Sequence, residues 1–434
     1  MSQIFKETPY WWEAAPLPEL EETPVQKTCD VAIVGAGFAG LTAALILARA
    51  GRSVQVFDKE RPGEGASSRN GGIVSGNIKM AFSNMMSTFG EETAKAIYSE
   101  GVAAREDVGK FIEDENIDCG FKMTGRFTGA CRPKHYERQK REAEFMNKHL
   151  DLGVEMVPRA EQHREVDSDL YYGGVVRRDI GGLHPGLFHR GILDRALDAS
   201  VTVHGRTAVE GFVRENDGFQ VSTSRGQTKA RDLLVCTNGY TGGTTPWLQR
   251  RIVPIPSQII ATEPLPTETM TRLMPKGRML GETRNIYHYY RPSPDGTCII
   301  FGGRAGAGTD DPKSKFRHLH KGLVEVFPEL KDVRITHSWS GYTGYTFDYL
   351  PKSVVHDGVH YAAGFCGSGV VWARWFAKKS AYRIVGNSAG AESAFDGRPF
   401  QTRMLYKGNP WFLPFVIAWY GWKDRLGYLA LPSR

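Results

Sequence analysis

No two cysteines in this chain lie close enough in sequence to act as a pair. Cys29, Cys119, Cys131, Cys236, Cys298 and Cys366 never fall within four residues of one another. That spacing excludes a CxxC redox couple and a zinc knuckle. A CxxxxC pair and a second GxGxxG are missing too, which sets aside a disulfide reductase. Long apolar runs are also absent. The longest aromatic–apolar run, Trp411 to Trp422, is interrupted by Pro414 and Gly421. It falls short of the roughly 20 residues that a membrane-spanning helix needs. Its aromatics are expected to pack on the core, with a peripheral membrane contact through the tail as the alternative. Met1 to Trp12 shows no basic stretch followed by an apolar one. No secretory signal is therefore expected, and the scattered thiols suit a reducing cytoplasm.

Charge of one sign is not in strong excess either: 55 Lys and Arg stand against 48 Asp and Glu, a net +7. The densest basic run, Arg138 to Arg141, is interleaved with Glu137, Glu142 and Glu144. It reads as the solvated face of a helix over Lys134 to Leu150, not as a nucleic-acid patch. His318 and His320 have no acidic partner at ligand spacing, so no metal site is expected. At 434 residues the chain is long enough for two domains.

Against these absences stands Val31 to Gly40. Four apolar residues read as a buried strand and run into Gly35-x-Gly37-x-x-Gly40. A helix-period segment, Leu41 to Ala50, follows, and a second short strand, Ser53 to Phe57, ends in Asp58, 18 positions after the third glycine. This is a dinucleotide-binding βαβ opening. Gly35 allows the turn, Gly37 lets the backbone approach a pyrophosphate, and Gly40 lets helix and strand pack closely. Phe38 and Ala39 open the helix, whose free N–H groups favour phosphate. Asp58, next to Lys59, suits a ribose hydroxyl.

Beyond Asp58, the polar loop Glu60 to Gly72 leaves the second strand at the carboxyl edge of the sheet, where ligands bind in open α/β folds. Ser67, Ser68, Arg69 and Asn70 offer donors there, and Gly71 and Gly72 permit close approach. Ser83 to Asn116 reads as two helices, Cys119 to Cys131 as a strand pair around Gly125, and Tyr171 to Val176 as a strand. Pro185 is expected to start a helix that runs to Ala199. Thr207 to Asp232 reads as three short strands, and Leu233 to Tyr240 as a buried strand ending in Thr237-Asn238-Gly239. Ile286 to Arg291 and Cys298 to Phe301 form a hairpin followed by Arg304. Alternation puts Tyr287 and Tyr289 on one face, and His288 and Tyr290 on the other. A second strand–glycine loop–helix unit runs through Gly364 to Gly369 and on from Val370. Residues 1–27, with Tyr10, Trp11 and Trp12, read as an arm pinned to the body.

Taken in order, these pieces resemble the D-amino-acid oxidase-like family of FAD enzymes, which includes glycine and sarcosine oxidases, and most of all its γ-glutamylputrescine oxidase branch. The likeness rests on the βαβ opening, Ala66 to Gly72, Gly182 to Pro185, Thr237 to Thr241, Tyr289 to Arg291 with Phe301 to Gly303, Gly364 to Gly369, and Lys423 to Gly427. It implies an α/β plus α+β fold: a Rossmann-type FAD-binding domain from 28–116, 186–246 and 335–400, and a substrate domain on an antiparallel sheet from 117–185 and 247–334. Residues 1–27 form the arm and 401–434 a C-terminal tail. By the same resemblance Val209 lies by the adenine, while Asn70 to Gly72 and Gly367, Ser368, Gly369 and Val370 flank the flavin ring.

The activity implied is oxidation of a C–N bond in an amine or amino acid, γ-glutamyl-amine-like, by hydride transfer to flavin N5. The imine then hydrolyses to an aldehyde or keto acid. Arg304 is the candidate for a substrate carboxylate, with Tyr289 and His288 as alternative cavity residues. Oxygen or a quinone-linked carrier takes the electrons. An amino-acid or imino-acid dehydrogenase feeding a respiratory quinone is the nearer rival, and a non-catalytic flavin-binding subunit the remoter one. Ser67, Ser68 and Arg69 occupy the loop where some relatives attach the flavin through a His, so non-covalent FAD is expected. Ser368 stands where close relatives often carry His, and Ile300 where sarcosine oxidases carry an oxygen-activating Lys.

Overall fold

The computed structural model describes residues 5–150, 152–304 and 312–429. The strand Thr28–Val34 lies inside a sheet ordered Lys352–His356, Val359–Ala363, Gly226–Val235, Thr28–Val34, Val54–Phe57, Thr202–His204. Every neighbouring pair from Val359–Ala363 onward is parallel. Parallel strands covered on both faces must be apolar throughout, and Val54–Phe57 and Val359–Ala363 are buried at every position. The helix Phe38–Arg49 covers this sheet, packed between Gly369–Ile384 and Pro185–Asp198. Pro185 does start its helix, with His184 Nδ1 accepting the Leu187 N–H at 3.1 Å as cap. The strands Val209–Glu215 and Gly218–Thr223 meander into Gly226–Val235.

A second sheet runs Ile335–Tyr345, Val253–Thr262, Ile299–Gly303, His288–Pro292, Met279–Glu282, Arg126–Gly129, Gly174–Arg177, Glu155–Val157. It is antiparallel except where Met279–Glu282 meets Arg126–Gly129. The structure thus combines α/β and α+β layers.

Four expectations need correction. The strand Ile335–Tyr345, placed by sequence at the head of an FAD-binding segment, pairs along its length with Val253–Thr262. The chain re-enters the first sheet only at Lys352–His356. Cys119 to Cys131 yields one strand, Arg126–Gly129, because Gly120 and Gly125 take positive φ values of 60° and 79° and break the run. The strand expected from Tyr171 starts at Gly174, after Gly173 at φ 80°. Finally, Trp411 to Trp422 packs on the core only in part: Phe412 lies against Tyr406, but the aromatics after it do not follow. Pro414 falls in the first turn, where a missing N–H costs nothing, so the helix Leu413–Leu429 runs on through Gly421. It leaves Phe415 71% and Trp419 51% exposed.

Asp424 anchors that helix, accepting the N–H groups of Asn285 and Ile286 at 3.1 and 3.0 Å. Among the described residues no helix is long and apolar enough to cross a membrane. Phe415→Ser and Trp419→Ser are expected to change unfolding free energy by less than about 0.5 kcal/mol, as exposed positions do. Denaturant titration checks this, and a loss of about 2 kcal/mol or more would mean that the face is packed.

Candidate active site

A cavity of about 990 Å³ is bounded by residues of both sheets. That is the upper end of the roughly 300–1,000 Å³ typical of ligand pockets. At one end lie Gly35, Gly37, Phe38 and Ala39, at the start of the helix Phe38–Arg49. Gly35 sits at φ 104°. A Cβ on Gly40 would come within 1.8 Å of the Gly35 carbonyl oxygen. Gly40 therefore lies outside the cavity and serves the helix–strand packing. A Cβ on Gly37 would approach Ser67 Oγ at 2.7 Å, the atom that accepts the Phe38 N–H at 2.9 Å. Asp58 and Lys59 continue this wall. Asp58 accepts the N–H groups of Ala36 at 2.7 Å and Glu60 at 3.0 Å. Burial still pushes its carboxyl up to about 6.

Ser67, Arg69, Asn70 and Gly71 line the next stretch. Three indoles hold their loop: Trp11 donates to the Asn70 carbonyl at 2.8 Å, Trp12 to Ser68 Oγ at 2.8 Å, and Trp339 to the Arg69 carbonyl at 2.9 Å. The arm therefore braces the ligand loop directly. Ser68 is corrected: its buried hydroxyl turns away and donates to the Gly63 carbonyl at 2.7 Å. Gly72 is corrected as well. Its carbonyl is clamped by Arg291 Nη1 at 2.9 Å, outside the cavity.

Val209, Thr237 and Asn238 face the cavity from the first sheet. Gly239 does not, because it packs on the backbone of Tyr342 to Gly344. Gly367, Ser368, Gly369 and Val370 line the cavity where the helix Gly369–Ile384 begins. Ser368 Oγ donates to the Asn77 carbonyl at 3.0 Å, tying this second glycine loop to the segment that carries Lys79.

The second sheet closes the cavity. Tyr289 and Arg304 line it, with Tyr287, Tyr345, Lys79 and Arg126. His288 is corrected out of this wall. It points to the opposite face, where its Nδ1 lies 3.1 Å from Glu282 Oε1 and its ring packs on Phe301. Arg304 Nη2 donates to Tyr345 Oη at 2.6 Å. Lys79 Nζ donates to Tyr287 Oη at 2.8 Å. Among the described residues Arg126 Nε has no hydrogen-bond partner. Burial raises the Tyr287 phenol, but Lys79, Arg304 and Arg126 outweigh it and bring it below the ordinary phenol range. Burial also pushes Tyr289 up, only partly offset by its hydrogen bond with Ser257 Oγ at 3.1 Å.

Lys79 and Arg126 escaped the sequence reading. One is a lone lysine in a loop and the other a strand's first residue, and only tertiary pairing brings them here. Tyr287 was legible through its alternation with Tyr289. Among the described residues no cluster of three or more His, Cys, Asp or Glu could hold a metal ion.

A model of the DAO family, described as FAD dependent oxidoreductase, matches residues 30–383. The chain belongs to this family. It is an FAD-dependent oxidoreductase of the DAO family, and its glycine loops fit the cofactor: a side chain on Gly37 would fill the cradle beside Ser67. The probable oxidoreductase OrdL of Rhizobium meliloti is 28% identical over 429 residues, covering 96% of this chain and 97% of the relative. The gamma-glutamylputrescine oxidoreductase of Escherichia coli is 29% identical over 418 residues, covering 95% and 96%. The crystal structure of glycine oxidase from Geobacillus kaustophilus superposes with a TM-score of 0.72 at 19% identity, covering 87% of this chain and 99% of that one. This last likeness is one of fold.

Proposed function

We propose that this DAO-family protein oxidises a C–N bond in an amine or amino acid bearing a carboxylate. The observation that carries the reading is the second-sheet wall of the cavity, where Arg304, Tyr287 and Tyr289 line the same space as the second glycine loop. FAD would be held without a covalent bond. Gly35 to Ala39 take the pyrophosphate at the helix N-terminus, Asp58 the ribose, Val209 the adenine side, and Asn70, Gly71 and Gly367 to Val370 the ring. The binding part comprises 28–116, 186–246 and 352–400, with the second sheet as substrate part and 401–434 as a tail. When bound, FAD supplies the two-electron acceptor for the hydride leaving the substrate's α-carbon. The resulting imine hydrolyses to an aldehyde or keto acid plus amine.

The protein's own work is placement. Arg304 fixes a carboxylate bidentately. Tyr289 shapes the same wall, held by its bond to Ser257. γ-Glutamyl amines are the first substrate class to try, given the similarity to gamma-glutamylputrescine oxidoreductase. Oxygen is the proposed acceptor and the cytoplasm the proposed location. The exposed Phe415 and Trp419 on the C-terminal helix favour a second reading, a dehydrogenase that touches a membrane surface and feeds a quinone.

Anaerobic mixing of the yellow protein with carboxylate-bearing amines should bleach the visible flavin band and give one carbonyl product per flavin. Bleaching by NADH and by no amine would overturn the reading. Acid precipitation should leave the colour in the supernatant; a yellow pellet would contradict non-covalent binding.

Asp58 gives a pH test. With a carboxyl pKa of about 6 in the folded protein against about 4 unfolded, the cofactor-free protein loses stability as pH rises through about 4 to 6. Ribose hydroxyls donating to Asp58 favour its ionised form. FAD should therefore bind more tightly at pH 7.5 than at pH 5, and Asp58→Asn should flatten that difference. Equal affinity at both pH values would contradict the role of Asp58.

A further inference from the structure

Among the described residues, the second-sheet end of the cavity carries positive charge with no carboxylate lining it. Lys79, Arg126 and Arg304 all line it, and among the described residues none of the three makes an ion pair. Among the described residues, the acidic ones lining the cavity are Asp58, Glu60 and Glu64, which belong to the first βαβ unit and the loop after it. Lys79 and Arg304 crowd one ring: Lys79 Nζ lies 4.9 Å and the Arg304 guanidinium carbon 5.8 Å from the Tyr287 centroid. The phenols Tyr287 and Tyr345 are the hydrogen-bond acceptors they find. Arg126 finds none for its Nε among the described residues.

Like charges gathered in a protein cavity repel and lose solvation unless something negative joins them. The depression of the Tyr287 phenol reports how strongly positive this space is. One carboxylate on Arg304 would leave Lys79 and Arg126 unmatched. A diamine tail would meet three cations.

We propose that the substrate carries two carboxylates, shared among Arg304, Lys79 and Arg126, so that the protein oxidises a dicarboxylic amine, such as an acidic amino acid or an N-carboxyalkyl amino acid. This rests on the C–N oxidation reading above and narrows it. Substrates with a free cationic tail, γ-glutamylputrescine among them, bind more weakly than dianionic ones. Lys79 has a clear part in this. Its side chain passes 3.4 Å from where a Cβ of Gly367 would stand, so it bridges the second glycine loop and the wall of the substrate space.

The test uses the FAD-loaded protein and two series. Malonate, succinate and glutarate are titrated against acetate and propionate, following the shift in the flavin spectrum. The best dicarboxylate should bind about tenfold or more tighter than the best monocarboxylate, as an added charge contact implies. In Lys79→Met and Arg126→Met the dicarboxylate should lose about tenfold and the monocarboxylate less than about threefold. Anaerobic bleaching is then compared for dicarboxylic amines, neutral amino acids and γ-glutamylputrescine, and dicarboxylic amines should show the lowest half-saturating concentration.

Equal binding of mono- and dicarboxylates by the unaltered protein overturns the proposal, whether or not the variants fold. So does faster bleaching by monocarboxylic or cationic amines, an outcome that leaves amine oxidation standing. Variants that shift the flavin reduction potential but keep dicarboxylate affinity assign the cations to the cofactor and also overturn it. Bleaching by NADH alone would instead remove the parent reading.

Discussion

Gly37→Val is expected to yield a folded, colourless protein. Gly37 caps the helix Phe38–Arg49 at φ −87° and ψ −170°, a conformation open to any residue, so the substitution meets no backbone strain. The obstacle is space. The new Cβ would stand 2.7 Å from Ser67 Oγ. Making room means giving up the bond from the Phe38 N–H to that oxygen and pushing methyl groups into the phosphate cradle. Overpacking of this kind costs about 1–3 kcal/mol. Added to the lost phosphate approach, it should weaken FAD binding by on the order of 100-fold. The flavin-to-protein ratio after gel filtration reads this out, with far-UV circular dichroism and a melting curve as controls for folding. A ratio near that of the unaltered protein would contradict the placement of the pyrophosphate. Gly40→Val is a different case. Its Cβ would meet the Gly35 backbone at 1.8 Å, and the protein should not fold.

Arg304→Met should lower kcat/KM by about 30- to 5,000-fold. That is the range expected when one partner of a desolvated charge pair is truncated, about 2–5 kcal/mol. If Arg304 holds the substrate equally in the ground and transition states, the loss appears in KM. Tyr345 also loses the donor that reaches its hydroxyl at 2.6 Å. Arg304→Lys should recover only part of the loss, because an ammonium cannot bind a carboxylate bidentately. Steady-state kinetics with the best amine checks this. An unchanged kcat/KM would remove Arg304 from the substrate site.

The parts legible in the sequence were those that local backbone physics dictates. Gly35 to Gly40 declares a turn, a close approach and a packing contact within six residues, and the structure places Gly35 and Gly37 on the cavity and Gly40 in the packing. The period of two in Ile286 to Arg291 put Tyr287 beside Tyr289. It could not choose between that face and the face of His288, since both are rich in aromatics. Glu282, itself buried, settles the choice by receiving the His288 N–H and ring.

The loop residues Ser68, Gly72 and Gly239 lie in the right segments but turn away from the cavity. Their orientation is fixed by distant partners, Trp12, Arg291 and the strand Ile335–Tyr345. Lys79 and Arg126 left no local mark. A lone lysine between the strand Ile73–Val74 and the helix Phe82–Phe89 gains its place only when Tyr287 arrives from 208 residues away. Pro414 misled because proline at a first helical turn and proline inside a helix look alike until the helix start is known.

The claim that a hydride leaves the substrate's α-carbon is tested most directly by rapid anaerobic mixing. The FAD-loaded protein is mixed with the best carboxylate-bearing amine, once with hydrogen and once with deuterium at that carbon, and bleaching of the visible band is timed. The amine should bleach the flavin, and deuterium should slow the bleaching. Bleaching at equal rates would contradict the claim.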